Sequence, residues 1–114
     1  MNEKLHKWLF DVKLAIEEIE SFFKDRSKNY TDYKDNVLLK RAVERNLGII
    51  GEAITRIIKS NPDIAITSSK SIIGLRNHLI HAYDNVSDEY IWGIIVKHLP
   101  VLKQEVELLI QEFE

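Results

Sequence analysis

The chain has 114 residues, 45% hydrophobic and 30% charged, with no cysteine and a formal net charge of −2. This length suits a single domain, 1–114, that buries roughly 65% of its unfolded surface without a metal or disulfide. The lack of cysteine excludes disulfides, thiolate zinc sites and cysteine nucleophiles, and fits a reducing compartment. With 16 Lys and Arg against 18 Asp and Glu, the chain is not one that coats nucleic acid with a basic face, so any such contact should be a local pocket.

Apolar positions recur at helical spacing along almost the whole chain, and strand-like alternation is absent. Residues 1–8 contain no apolar core of a signal peptide, and no apolar run approaches the roughly 18 residues of a membrane span, so a cytoplasmic protein is expected. Leu5, Trp8 (with Leu9), Val12, Ile16, Ile19 and Phe23 form one stripe of a first helix over about residues 3–24. The polar stretch 24–30 breaks it. A long second helix is expected to start at Thr31 or Asp32 and to carry Val43, Leu47, Ile50, Ile54 and Ile57 inward, until Asn61-Pro62-Asp63 ends it.

A connector over 64–71, rich in hydroxyl caps, leads to a third helix over about 70–83. Ser87 reads as the N-cap of the last helix, with Asp88 and Glu89 at the positive end of its dipole. That helix carries Ile91, Ile94, Ile95, Leu99, Leu102, Val106, Leu109 and Phe113 inward, and Pro100 should kink or divide it. The sum is an all-α, antiparallel bundle of four to five helices. Gly48 and Gly51 lie inside the second helix, each at a cost of about 1 kcal/mol in propensity, which points to a close helix–helix approach within the bundle or across a dimer.

Functional groups are densest in the segment Gly74-Leu75-Arg76-Asn77-His78-Leu79-Ile80-His81-Ala82-Tyr83-Asp84. On a straight helix Asn77 and His81 share a face, and so do Arg76 and Tyr83. Arg76 and His81 sit about 140° apart around the axis and about 7.5 Å apart along it. Their convergence therefore needs the long Arg arm, a helix end near His81, or a second copy of the helix from a partner chain. An always-protonated guanidinium suits a phosphate or a pentacoordinate phosphorane, and an imidazole near its titration point can take or give a proton. Those roles suffice for attack of an RNA 2′-hydroxyl on its own phosphodiester, a reaction that calls for no cofactor. One histidine does not easily serve both proton transfers, whereas two copies across a two-fold axis could. By residue type alone, an Arg and a His on a bundle helix are more often a surface pair or a satisfied core histidine. His78 and His81 lack a third ligand for zinc. His6 and His98 are isolated, and Lys24, Arg26 and Lys28 read first as a solvated loop.

The string Arg-x-x-x-x-His-x-Tyr, filled by Arg76, His81 and Tyr83, resembles the signature of the HepT-type HEPN ribonuclease toxins. Residues 42–53, ending Ile50-Gly51-Glu52-Ala53, resemble that family's second-helix block. Ile73-Gly74-Leu75-Arg76-Asn77 resembles its motif entrance, and Tyr90-Ile91-Trp92 and His98-Leu99-Pro100-Val101-Leu102 resemble its last-helix blocks. The resemblance implies an all-helical homodimer with an RNase cleft between the two third-helix copies. It also implies metal-independent cleavage to a cyclic phosphate, with catalytic roles for Arg76 and His81 and a supporting polar role for Asn77. Its implied partner is an MntA-type nucleotidyltransferase antitoxin that adds AMP to Tyr83. A non-catalytic helical partner or substrate-binding subunit of such a nucleotidyltransferase is the alternative. One block departs from the family: of its Pro-x-Ile-Pro-Trp only Pro62-Asp63-Ile64 remains, followed by Ala65-Ile66-Thr67, so the connector beside the motif is expected to differ in shape.

Overall fold

A computed structural model of the chain describes residues 3–81, the side chain of His81 excepted, and 87–112. Its helices are α1 (Glu3–Phe22), α2 (Tyr30–Lys34), α3 (Val37–Ser60), α4 (Ser69–His81), α5 (Asp88–Gly93) and α6 (Leu99–Glu112). A π-helical turn over Ile94–His98 joins α5 to α6, and the described residues contain no strand. The all-α expectation holds. None of the described helices is long and apolar enough to cross a membrane.

Each helix is built from one apolar stripe. On α1, Leu5, Leu9, Val12, Ile16 and Ile19 are buried at steps of four, three, four and three. Trp8, expected on the same stripe, is only half-buried at its edge. On α3, Val43, Leu47, Ile50, Ile54 and Ile57 turn inward as expected. Asn46 joins them, nearly fully buried, and its amide donates to the Ala15 carbonyl at 3.3 Å and to Glu18 Oε1 at 2.9 Å. The neighbours across α1 and α3 run in opposite order, with Glu18 beside Asn46 and Trp8 beside Glu52 and Arg56, so the two helices are antiparallel. α4 packs on α3, and α6 on α1, where Lys103 reaches Glu20 at 2.9 Å.

The expected second helix is in fact two. Asn29, rather than Thr31 or Asp32, caps α2, its side chain accepting from the Asp32 amide at 2.9 Å. Asn36 then caps a new helix by accepting from the Leu39 amide at 3.0 Å. Two asparagines seven residues apart each offer the backbone a local partner, and the chain turns between them. The short α2 lays Tyr33 and Tyr30 against Trp92 of α5, with ring centroids 5.3 and 6.3 Å apart, and Phe23 meets the same indole edge-on at 5.9 Å. Tyr33 is fully buried, and its hydroxyl has no hydrogen-bond partner among the described residues.

The connector before α4 is anchored to the last helix. The Thr67 amide donates to both Glu105 carboxylate oxygens, at 3.1 and 3.2 Å, and Ser68 Oγ lies 3.2 Å from His98 Nδ1. His98, which the sequence left without a role, therefore holds the entrance to α4 in place. Ser87 caps α5 as expected, accepting from the Tyr90 amide at 3.1 Å. Pro100 has no N–H, so it can donate neither to Val96, its α partner, nor to Ile95, its π partner. The chain absorbs this with the π turn, in which the Leu99 amide reaches back to the Ile94 carbonyl. The outcome is a register shift rather than a divided helix.

Candidate functional site

Arg76 stands where α4 meets α3, and Gly51 makes room for it. A Cβ on Gly51 would overlap Arg76 Cβ and lie 2.7 Å from its Cγ and 3.5 Å from its Cα. Gly48 has nothing within 4 Å of the same hypothetical atom. Of the two glycines in α3, Gly51 thus serves the close approach within the bundle, and Gly48 opens onto a surface groove.

The Arg76 guanidinium is held at two points. Nη2 donates to Glu52 Oε2 at 2.5 Å, and Nη1 donates to Asn77 Oδ1 at 3.2 Å. Nε is buried with no partner among the described residues. Arg56 takes the other Glu52 oxygen at 3.2 Å through both Nε and Nη2. Glu52 therefore lies between two guanidiniums. Their hydrogen bonds, Arg76 first and Arg56 second, hold its carboxyl below the ordinary carboxylate value of 4.5. The Arg76 side chain keeps about a quarter of its surface exposed, and two of its five N–H groups are used by these partners. It remains able to meet an anion arriving from solvent.

The expected site residues gather only in part. Arg76 and Asn77 touch, and Asn77 is exposed. α4 runs unbroken to His81, so the offset of about 140° between Arg76 and His81 stands on the backbone. The Arg76 arm is engaged toward α3 rather than along its own helix. The His81 side chain and Tyr83 lie outside the described residues. His78 is exposed, and the described residues contain no group of three or more His, Asp or Glu side chains placed to hold a metal ion. Lys24, Arg26 and Lys28 are exposed, Lys28 lying over the Phe23 ring at 5.8 Å.

Glu52, Arg45 and Arg56 carried no role in the sequence reading. The signal was present: Arg45, Ile49, Glu52 and Arg56 recur at steps of four, three and four, a second stripe on α3 beside the buried one. This stripe, with Trp8 of α1 and Arg76 of α4, borders a groove of about 450 Å³.

The ribonuclease HepT-like family model matches residues 12–109. A protein of Methanocaldococcus jannaschii assigned as an RNase is 32% identical over 111 residues, 94% of this chain and 91% of the relative. A second one from the same organism is 33% identical over 107 residues, 90% and 93% of the two chains. A Thermococcus cleftensis protein assigned as ribonuclease HepT is 33% identical over 112 residues, 94% and 97% of the two chains. No solved structure matches the chain significantly.

Proposed function

The chain belongs to the HepT-like ribonuclease family and is an endoribonuclease, and on that premise we propose that it is the toxin of a toxin–antitoxin pair, cutting RNA without a metal through Arg76 and His81. The observation that carries this reading is the Arg76 guanidinium, fixed by Glu52 and Asn77 at the rim of an open groove with donors to spare.

The chemistry follows from the residue types. The neutral His81 imidazole takes the proton of the 2′-hydroxyl as that oxygen attacks the adjacent phosphorus. Arg76 stabilises the charge of the phosphorane. The bond to the 5′-oxygen breaks, and the departing oxygen receives a proton, leaving a 2′,3′-cyclic phosphate and a free 5′-hydroxyl. With Arg76 turned toward α3 and His81 on another sector of α4, one chain does not bring both groups to one phosphate on a straight helix. A homodimer that places two α4 copies about a two-fold axis supplies both, with one His81 as base and the other as acid. Asn77 supports the arrangement through its bond to Arg76.

Control falls to Tyr83, two residues past His81. A partner nucleotidyltransferase of the MntA type transfers an adenylyl group from ATP to the phenol oxygen and releases pyrophosphate. Each added AMP brings a negative charge and a bulky group to the place the RNA phosphate must occupy.

The test is incubation of purified protein with tRNA and other RNA in EDTA. Cleavage that disappears in Arg76→Ala and His81→Ala is expected. Equal cleavage by the wild type and both variants would refute the assignment, and no cleavage by any of them would favour a non-catalytic partner subunit. Mass spectrometry after co-expression with the nucleotidyltransferase should find AMP on Tyr83; modification confined to another residue removes that part of the proposal.

A further inference from the structure

Beside Arg76 the groove has features that one bound phosphate does not require. Its walls carry four cations, Lys7, Arg45, Arg56 and Arg76, against two carboxylates, Asp11 and Glu52, in a chain whose overall charge is −2. Lys7 is paired with Asp11 at 2.8 Å, and Arg56 and Arg76 share Glu52. The Arg45 side chain is exposed and makes no ion pair or hydrogen bond among the described residues. Between the charges lies an apolar floor of half-buried Trp8, Ile49 at 40% exposure and Ile80 at 52%. Past Arg45 the groove continues into a second hollow of about 200 Å³ that shares Asp11, Arg45 and Ile49 with the first. Arg45 and Arg56 are eleven residues apart on one helix, about 16 Å along its axis.

We propose that this groove is a subsite for single-stranded RNA, holding the nucleotides that flank the scissile phosphate. A base stacks against Trp8 and the apolar floor, and backbone phosphates meet Arg45 and Arg56, while Arg76 marks the end where the chain is cut. The length fits, since a stacked strand rises about 3.4 Å per nucleotide and the two arginines span several such steps. An A-form duplex keeps its bases stacked inside and offers none to an indole, so an unpaired strand is the matching chemistry. The subsite rests on the ribonuclease reading of Arg76, but its binding can be measured without cleavage.

The probe is a short single-stranded 2′-O-methyl oligonucleotide, which lacks the attacking hydroxyl and stays intact. Trp8 and Trp92 are the two tryptophans of the chain, and Trp92 sits in the aromatic cluster with Tyr33 and Phe23, away from the groove. In Trp92→Phe, titration with the oligonucleotide should therefore still quench the remaining tryptophan. Trp8→Ala should weaken binding about 5- to 100-fold. Arg45→Ala, an exposed change that spares the fold, should reduce the slope of log affinity against log salt by about 0.7, one phosphate contact on a single strand. Unchanged affinity in both variants and an unchanged salt slope overturn the subsite, even if cleavage still depends on Arg76. Loss of binding in these variants supports the subsite, even if the EDTA assay shows no cleavage and the catalytic reading falls alone. Should either variant turn a dimer into a monomer in sedimentation while each chain keeps its affinity for the oligonucleotide, the groove is an interface between copies and the proposal is wrong.

Discussion

Gly51→Ala probes the contact on which Arg76 depends, and Gly48→Ala is its internal control. Both glycines lie inside α3, so both substitutions gain about 1 kcal/mol of helix propensity. At Gly48 nothing opposes that gain, because no atom lies within 4 Å of the new Cβ. At Gly51 the new Cβ falls on the stem of Arg76, whose Cβ is rigidly tied to the α4 backbone. Relief requires α4 to move away from α3, and overpacking of this kind costs about 1–3 kcal/mol. Propensity cancels between the two variants, so Gly48→Ala should exceed Gly51→Ala in stability by about 1–3 kcal/mol. With a urea m-value of about 2 kcal/mol/M for a chain of this size, the midpoints should lie about 0.5–1.5 M apart. Displacing Arg76 by up to an ångström should also reduce RNA cleavage about 10- to 100-fold in Gly51→Ala. Coincident urea midpoints for the two variants would show that α4 does not rest on Gly51, and the account of how Arg76 is positioned would fail with it.

Other outcomes follow from single contacts. Tyr33→Phe removes a buried hydroxyl with no partner among the described residues, and urea denaturation should show a gain of about 1 kcal/mol; a loss would mean that the hydroxyl is bonded. Burial, with Glu44 and Asp88 nearby, pushes the Tyr33 phenol above its ordinary value of 10.0. The stability this provides is complete below pH 10 and lost as pH rises toward the folded value, so Tyr33→Phe should flatten the alkaline fall in stability. Glu52 shows the opposite sign: its lowered value adds stability at neutral pH that is lost as pH falls below 4.5 through the folded value. In Arg76→Ala the Glu52 carboxyl should titrate closer to 4.5 by carboxyl NMR, and an unshifted titration would leave Arg56 as the sole cause. Asn36→Ala deletes the cap of α3 and should cost about 1 kcal/mol in the same urea assay, against little change for the exposed, uncapping Thr31→Ala.

What could be read from the sequence was what local chemistry decides. The stripes of α1 and α3 and the Ser87 cap follow from spacing and from one hydroxyl, and all three hold in the structure. The break at Asp35-Asn36 was hidden because neither Gly nor Pro marks it, and any of several polar residues nearby could have capped a helix. Pro100 announced a disturbance, but whether it would take the form of a kink or a π turn depended on α6 packing against α1. At the site, Gly51 signalled a close approach without naming its neighbour. That Arg76 is the neighbour, and that Glu52, 24 residues before it in sequence, receives it, depends on how two helices dock, which periodicity does not encode. The roles of His81 and Tyr83 came from family resemblance rather than from geometry.

Asn46 separates two properties that are easily confused, how firmly α1 holds α3 and where along α3 it comes to rest. Its amide reaches one particular carbonyl, that of Ala15, and one carboxylate, that of Glu18. Leucines and isoleucines would accept α1 displaced by a full helical turn of about 5.4 Å almost as well, since their stripes repeat; the amide would not. The side chain acts as an index mark, and what it aligns is the far end of the pair, where Trp8 faces Glu52 and Arg56 across the groove. An Asn46→Leu chain should therefore be at least as hard to unfold as the wild type by urea, yet poorer at binding a strand. A variant equal to the wild type in both respects would mean that the alignment is kept elsewhere.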